Sequence, residues 1–303
     1  MKPLKLKPLK KLKSGSGKKP SSEGLIANEI EQSDCIEAAG RFRDRQISLV
    51  LGSPPYALKF KRYGHKGIAA SGKHRTQDWA NWMLEVTQAW LPKVSNCVVW
   101  VANGAMQDGA YQPACELLMV KAWEAGLIVE RPVVWCKNAS PNRKDYFKNA
   151  WEYVMCFRPA DSVRYFDLEA VGSPPLYKAG GHFRQRDVNG KRKVGNDYPQ
   201  SKLARPADFI GTLPSDVDLL YITVGGGHMG SNLAHANAAP YPEKLVFPLI
   251  AALTKPGELV VDPFSGSGTT SAVAKKLKRS SFGFNRDESM VNLSKLRLEE
   301  VTQ

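Results

Sequence analysis

Short apolar runs and stretches of helical spacing alternate along this chain. Gln46–Gly52 (QISLVLG) is an unbroken run rich in branched residues and reads as a buried strand, stopped at Ser53-Pro54-Pro55-Tyr56. From Asp78 to Leu91, Trp79, Trp82, Met83, Val86 and Trp90 recur at helical spacing, with Asp78 as the expected cap. Cys97–Val101 is a second strand, Ala114–Ala125 a helix closed by Gly126, Ile128–Cys136 a third strand region and Glu152–Phe157 a fourth. Residues 23–44 read as a helix or strand–helix piece broken at Gly40. Asp218–Val224 reads as a strand and Tyr241–Leu253 as a helix. The last stretch runs strand (Glu258–Asp262), glycine loop, helix (Thr269–Leu277), strand (Ser281–Asn285), helix (Glu288–Val301). Strands alternating with helices predict an α/β fold, a doubly wound, mostly parallel sheet.

Residues 160–215 break the pattern: they are rich in Gly, Pro, Arg and Lys, with only short apolar pieces. A long irregular stretch in a compact chain is usually functional or disordered. The expected organisation is a basic flexible tail over 1–22, one half of the core over 23–159, an inserted region over 160–227 and a second half over 228–303.

Charge sharpens this picture. The chain has 43 Lys+Arg against 29 Asp+Glu, a net +14, and residues 1–20 hold eight lysines and no acid. A polyanionic partner is expected. No apolar run approaches the ~20 residues that span a bilayer, and no signal peptide opens the chain. Five scattered cysteines without a CxxC read as reduced thiols inside a cell, and five histidines without ligand spacing suggest no metal.

Two short segments carry chemistry. Asp262-Pro263-Phe264-Ser265-Gly266-Ser267-Gly268-Thr269-Thr270 follows a strand and opens a helix. Gly266 and Gly268 permit a tight turn and close approach to a ligand, and helix-start amides suit a carboxylate or phosphate. No Lys-Ser/Thr follows the second glycine, so this is not a phosphate loop of the Walker kind, and Ser271 replaces the third glycine of the dinucleotide fingerprint. The second segment is Ser53-Pro54-Pro55-Tyr56. An exocyclic amine on an aromatic base is a poor nucleophile, because its lone pair is delocalised into the ring. The Ser53 hydroxyl and the Pro54 carbonyl can accept its two hydrogens, Pro55 helps hold that carbonyl rigid, and Tyr56 can stack on a base taken out of the duplex.

Together these segments resemble motifs I and IV of the S-adenosylmethionine-dependent DNA amino-methyltransferases, in the permuted order of the β group. Asp34-Cys35, Trp135-Cys136-Lys137 and Asn149-Ala150-Trp151-Glu152-Tyr153 are similar to further parts of that pattern. The resemblance implies a class I methyltransferase, Rossmann-like fold. It implies a cofactor site of Asp34, Cys35, Asp262, Phe264, Gly266, Gly268, Thr269, Thr270 and Asn285, with Asn285 standing where the family has an acidic residue for the ribose. Ser-Pro-Pro-Tyr is typical of cytosine-N4 enzymes, and adenine-N6 enzymes more often begin the motif with Asp or Asn. By position, 160–227 would be the target-recognition region, with Lys59, Lys61, Arg62, Arg184, Arg186 and Arg192 as DNA contacts.

The expected partner is double-stranded DNA, with a separately acting cognate restriction endonuclease of a restriction-modification system. The expected state is a monomer or homodimer in a prokaryotic or phage setting, cytoplasmic and nucleoid-associated. Three alternatives stay open: an adenine-N6 enzyme, a methyltransferase for RNA or protein amide nitrogens, and a non-catalytic DNA-binding relative. Carbon-5 methylation is excluded, because no Pro-Cys dipeptide occurs to supply the nucleophile.

The tail generates a first test. Deleting residues 1–20 removes +8 without touching either motif. Log affinity for duplex DNA falls by ~0.9 per neutralised phosphate per log unit of salt. Titrations across a salt series are expected to show weaker binding, a shallower slope and unchanged sequence preference. Equal slopes for both forms would show that the tail does not touch DNA.

Overall fold

A computed structural model of the chain describes residues 28–56, 75–107, 109–137, 150–171, 209–210, 222, 229–237 and 240–301. The main sheet contains β1 (Asn28–Gln32), β2 (Ile47–Gly52), β3 (Val94–Ala102), β6 (Ile128–Val129), β7 (Val133–Cys136), β8 (Trp151–Arg158), β9 (Phe209–Ile210), β10 (Leu259–Asp262) and β11 (Ser280–Asn285). β4 (Ala105–Gln107) and β5 (Ala110–Gln112) form a separate hairpin. The helices are α1 (Arg75–Trp90), α2 (Ala114–Glu124), α3 (Leu168–Val171), α4 (Glu243–Leu253), α5 (Thr269–Lys276) and α6 (Glu288–Glu300). No described helix is long and apolar enough to cross a membrane.

The strand order is β1-β11-β10-β2-β3-β8-β7-β9, with β6 also paired to β8. β1, β11, β10, β2 and β3 run parallel, β8 is antiparallel to its neighbours β3, β6 and β7, and β9 is parallel to β7. The sheet is mostly parallel as expected, and β8 is the one reversed strand among the described residues.

Every residue of β2 is buried, which fits a strand covered on both faces. Alternate residues serve opposite layers. Val50, Val98, Trp100, Met155 and Phe157 join Trp79, Met83, Val86 and Trp90 of α1 and Leu118 of α2. Leu49, Leu51, Cys97, Val99 and Val154 join Leu245, Leu249 and Ile250 of α4 and Val273 of α5. At the far edge, Ile30 of β1 packs with Val291 and Leu298 of α6. Helices thus cover both faces, as expected of a doubly wound sheet.

Several boundaries differ from expectation. Residues 28–44 form β1 and a 3-10 turn over Glu37–Arg41 that contains Gly40, so Gly40 does not break a helix. Alternation around Ile30 suits an edge strand, and Asp34 holds the turn by accepting the Ile36 amide at 2.8 Å. Helix α1 begins at Arg75, which places Asp78 inside its first turn and not at its cap. Thr76 is buried there and donates to Gln112 Oε1 at 2.9 Å, an anchor without an apolar signature. Helix α4 begins after Pro242, whose extended backbone excludes Tyr241. Of the strand expected over 218–224, only Ile222 is described; its carbonyl accepts Trp135 Nε1 at 3.2 Å. The tail and most of 160–227 lie outside the described residues.

The arrangement brings the two motif strands together. β2 pairs directly with β10, Leu49 with Val260 and Val50 with Val261. A Cβ on Gly52 would lie 2.6 Å from Asp262 Oδ1 and 3.4 Å from the Phe264 ring. Gly52→Ala is therefore expected to force the two strand ends apart and to cost ~1–3 kcal/mol, the scale of overpacking. Urea unfolding of parent and variant measures it, and equal stability would contradict the close approach.

Candidate active site

The glycine loop between β10 and α5 is held from within. Asp262 is 1% exposed, and it accepts three hydrogens. The Phe264 amide reaches Oδ1 at 2.9 Å, and the Thr270 hydroxyl and Tyr241 phenol reach Oδ2 at 2.7 and 3.2 Å. Burial pushes its carboxyl up to about 6, against the lowering effect of those three donors. Gly266 and Gly268 adopt φ of +52° and +79°, the left-handed region that glycine occupies without strain. A Cβ on Gly268 would stand 3.1 Å from the Ser294 backbone of α6.

Helix α6 grips the loop from behind. Arg297 is fully buried, and its guanidinium donates to Thr269 Oγ1 at 2.7 Å, Glu243 Oε1 at 3.0 Å and the Met229 carbonyl at 3.1 Å. Ser294 Oγ donates to the Gly266 carbonyl at 2.8 Å. Asp262, Thr269 and Thr270 are thus engaged inside the protein and shape the loop. The ligand-facing capacity lies in backbone amides, since a helix start leaves its first amides without helical acceptors. Phe264 packs edge-on against Trp82 and Trp100, at 5.8 and 5.6 Å between ring centres.

Two neighbouring strand ends complete this edge. β1 pairs with β11, Gln32 opposite Asn285, and the Ser33 amide donates to the Asn285 carbonyl at 3.0 Å. Asp34 follows directly, 3.8 Å from the Arg286 guanidinium. Cys35 is buried; burial and the Asp34 charge push its thiol up to about 12, so it is no nucleophile. Asn285 Oδ1 accepts the Asp287 amide at 3.0 Å.

The Ser53–Tyr56 turn leaves β2 beside this loop. Pro54 is buried and Ser53 is half-buried. Trp79 Nε1 donates to the Pro55 carbonyl at 2.7 Å. The Tyr56 phenol donates to Glu152, and Lys137 donates to the other oxygen of the same carboxylate. Burial, reinforced by the Glu152 charge, holds that phenol well above its usual range. Trp79 was legible only as an apolar position at helical spacing, and Glu152 had no signal beyond its place in a matching segment. Lys59, Lys61, Arg62, Arg184, Arg186 and Arg192 lie outside the described residues.

The loop fits the adenosyl-methionine cofactor that the motifs imply. Left-handed glycines, helix-start amides and two buried serine hydroxyls without a partner, Ser265 and Ser271, meet where β10, β11 and β1 end. No metal-holding group of His, Cys, Asp and Glu occurs among the described residues.

Known proteins place the chain. A family model described as DNA methylase matches residues 47–296. The chain is 22% identical over 271 residues to the Type II methyltransferase M.BglII of Bacillus subtilis, covering 88% of this chain and 68% of that protein. It superposes on the PvuII DNA methyltransferase (cytosine-N4-specific) with a TM-score of 0.63 at 21% identity, over 88% of this chain and 85% of that one. It superposes on TTHA0409, a putative DNA modification methylase from Thermus thermophilus complexed with S-adenosyl-L-methionine, with a TM-score of 0.60 at 16% identity, over 91% and 95%.

The Asp262 carboxylate generates a pH test. Its folded value of about 6 lies above the ordinary 3.8, so the native state holds this proton more tightly than the unfolded chain. The stability it contributes is fully present below the ordinary value and is lost as pH rises through about 6. Asp262→Asn cannot titrate. Between about pH 4 and about pH 7 the parent is expected to lose ~2–3 kcal/mol relative to the variant, at ~1.4 kcal/mol per pH unit. Parallel stability–pH curves from denaturant unfolding would refute the assignment.

Proposed function

We propose that this chain, which belongs to the DNA methylase family of S-adenosylmethionine-dependent amino-methyltransferases, methylates the N4 amine of cytosine at a specific site in duplex DNA. The observation that carries the reading is the Ser53-Pro54-Pro55-Tyr56 turn at the end of β2, directly beside the Asp262–Gly268 loop that ends β10. The likeness to a cytosine-N4-specific enzyme supports it.

The chemistry follows from the residues. The target base is taken out of the stack, since its amine is otherwise paired. The Tyr56 ring offers the base a face, and its phenol is tied down by Glu152. Ser53 Oγ and the Pro54 carbonyl accept the two amine hydrogens, which draws the nitrogen lone pair out of conjugation and aims it away from both acceptors. Trp79, bound to the Pro55 carbonyl, keeps that peptide from turning. When bound, the cofactor supplies an electrophilic methyl on a sulfonium, so positioning provides much of the rate. The Gly266–Gly268 loop with the start of α5 would hold its methionine part, Asn285 a ribose hydroxyl, and Asp34 with its neighbours the adenine. Lys59, Lys61 and Arg62, which follow Tyr56 in the chain, and Arg184, Arg186 and Arg192 of the insert would contact DNA. The Type II relative supports a cognate endonuclease acting separately on the same site.

Ser53→Ala removes one acceptor and leaves the Pro54 carbonyl and the Tyr56 ring. Single-turnover methyl transfer is expected to slow by roughly 10²–10³, the scale for one preorganised polar contact. Cofactor affinity, measured by calorimetry, is expected to stay the same. An unchanged rate would remove Ser53 from the chemistry. Mass analysis of nucleosides from DNA methylated by the parent is expected to give N4-methylcytosine. 6-Methyladenine would overturn the base assignment and leave the family reading standing.

A further inference from the structure

The β4–β5 hairpin begins three residues beyond the end of β3, at the same edge of the sheet as the Ser53–Tyr56 turn that leaves its neighbour β2. Gln107 pairs with Ala110, so two residues make the connection, and Gly109 takes the φ of +77° that so tight a turn calls for. Met106 and Tyr111 are direct partners across the ribbon, so their side chains share one face. Both are open to water, at 44% and 45% exposure. Residues 105–112 contain no Lys or Arg. What the hairpin offers a partner is therefore apolar surface and not a grip on phosphate.

The hairpin is braced at its base. Thr76 of α1 donates to Gln112 Oε1 at 2.9 Å, and the Tyr111 phenol donates to Glu116 Oε1 of α2 at 2.8 Å. The same carboxylate oxygen takes the Tyr153 phenol of β8 at 3.1 Å. A Cβ on Gly104 would collide with the Tyr111 phenol, so the ribbon lies close against the exit of β3. Thr76 and Trp79 are neighbours on one face of α1, three residues apart. Thr76 holds the hairpin, and Trp79 holds the Pro55 carbonyl. About one helical turn, ~5 Å, thus sets the hairpin's place relative to the Ser53–Tyr56 turn.

Extruding a base leaves a gap in the stack beside it. Proteins that open a duplex commonly insert an apolar side chain, Met among them, into the parted step. A braced ribbon that carries a fixed aromatic ring beside an unbranched thioether suits that task. A second copy of the chain fits less well, since a stable interface buries ~800 Å² per partner, and two half-exposed side chains fall far short of that. We propose that the β4–β5 hairpin contacts duplex DNA at the target site, and that Met106 and Tyr111 press into the stack and hold it open around the extruded base. This rests on the DNA methyltransferase reading of the Ser53–Tyr56 turn. It adds the element that stabilises the opened duplex.

The test uses the full chain and two duplexes carrying the methylated position mapped for the parent. In one the target base is paired, and in the other it faces an abasic site, so that no pair has to be broken. Single-turnover methyl transfer is measured at saturating S-adenosylmethionine. Met106→Ala and Tyr111→Ala are each expected to slow transfer to the paired duplex by about tenfold, within the range of one contact to a base, and to stay within about threefold of the parent on the opened one. Met106→Leu keeps an apolar wedge and is expected to match the parent on both. Thermal unfolding checks each variant, and if Tyr111→Ala does not fold, the two Met106 variants decide. A parental rate for Met106→Ala on the paired duplex, or an equal loss on both duplexes, would overturn the inference and leave the methyltransferase reading intact. So would a fall from dimer to monomer in light scattering of the alanine variants, which would assign the pair to an interface between copies. A parent that transfers no methyl group to any DNA would overturn that reading first, and the inference with it.

Discussion

A single buried carboxylate organises the edge on which everything else is built. Asp262 collects hydrogens from the Phe264 amide, the Thr270 hydroxyl and the Tyr241 phenol, and so joins strand β10, the loop, α5 and the segment leading into α4. Charge hidden from water is costly, and only this full set of donors makes it tolerable. The carboxyl still sits near 6, which measures how incompletely the donors offset burial. The loop is therefore defined by satisfying Asp262, and its outward amides are a consequence. Arg297 repeats the device on the opposite flank, with its guanidinium shared among Thr269, Glu243 and Met229.

The same edge explains how distant parts of the chain meet. β2 and β10 are separated by most of the sequence yet lie side by side, and β1 closes against β11. Parallel neighbours place all their carboxyl ends at one edge, and ligands of such sheets bind there. The Ser53 turn and the Gly266 loop need no special contact to be brought together, since strand order does it. The antiparallel β8 then supplies something a parallel strand there could not. Its amino end lies at the same edge, so Trp151, Glu152 and Tyr153 arrive beside the carboxyl ends of the other strands.

How much of this was legible in the sequence follows from the kind of signal each part leaves. β2, β3, α2 and β10 through α6 were readable because continuous apolar runs and punctuating glycines are local features. The two motifs were readable because their chemistry is compressed into four and nine consecutive residues. The start of α1 was not, because Thr76 is anchored by a polar bond to Gln112, far along the chain. The reversal at β8 was not, because strand direction is a property of pairing and leaves no mark on apolar pattern. Glu152 was invisible as the shared partner of Tyr56 and Lys137 for the same reason. Its meaning lies in Tyr56 and Lys137, 96 and 15 residues away. Asp262, Thr269 and Thr270 were legible as members of the cofactor motif, but spacing alone could not show that their side chains turn inward.

Asn285 is where local electrostatics explain a departure from the family pattern. An acid at this position would share a tight turn with Asp287, which caps α6 by accepting the Ser289 amide at 2.8 Å. It would also end β11 beside β1, from which Asp34 follows. Three carboxylates would then crowd one corner, with Arg286 as a long-range partner to Asp34 at 3.8 Å. The asparagine keeps the turn, since its side-chain oxygen accepts the Asp287 amide as a carboxylate would, and it adds no charge. A neutral hydrogen bond carries roughly half the strength of a charge-assisted one, so the asparagine gives up some strength in the turn it holds for relief from like-charge repulsion.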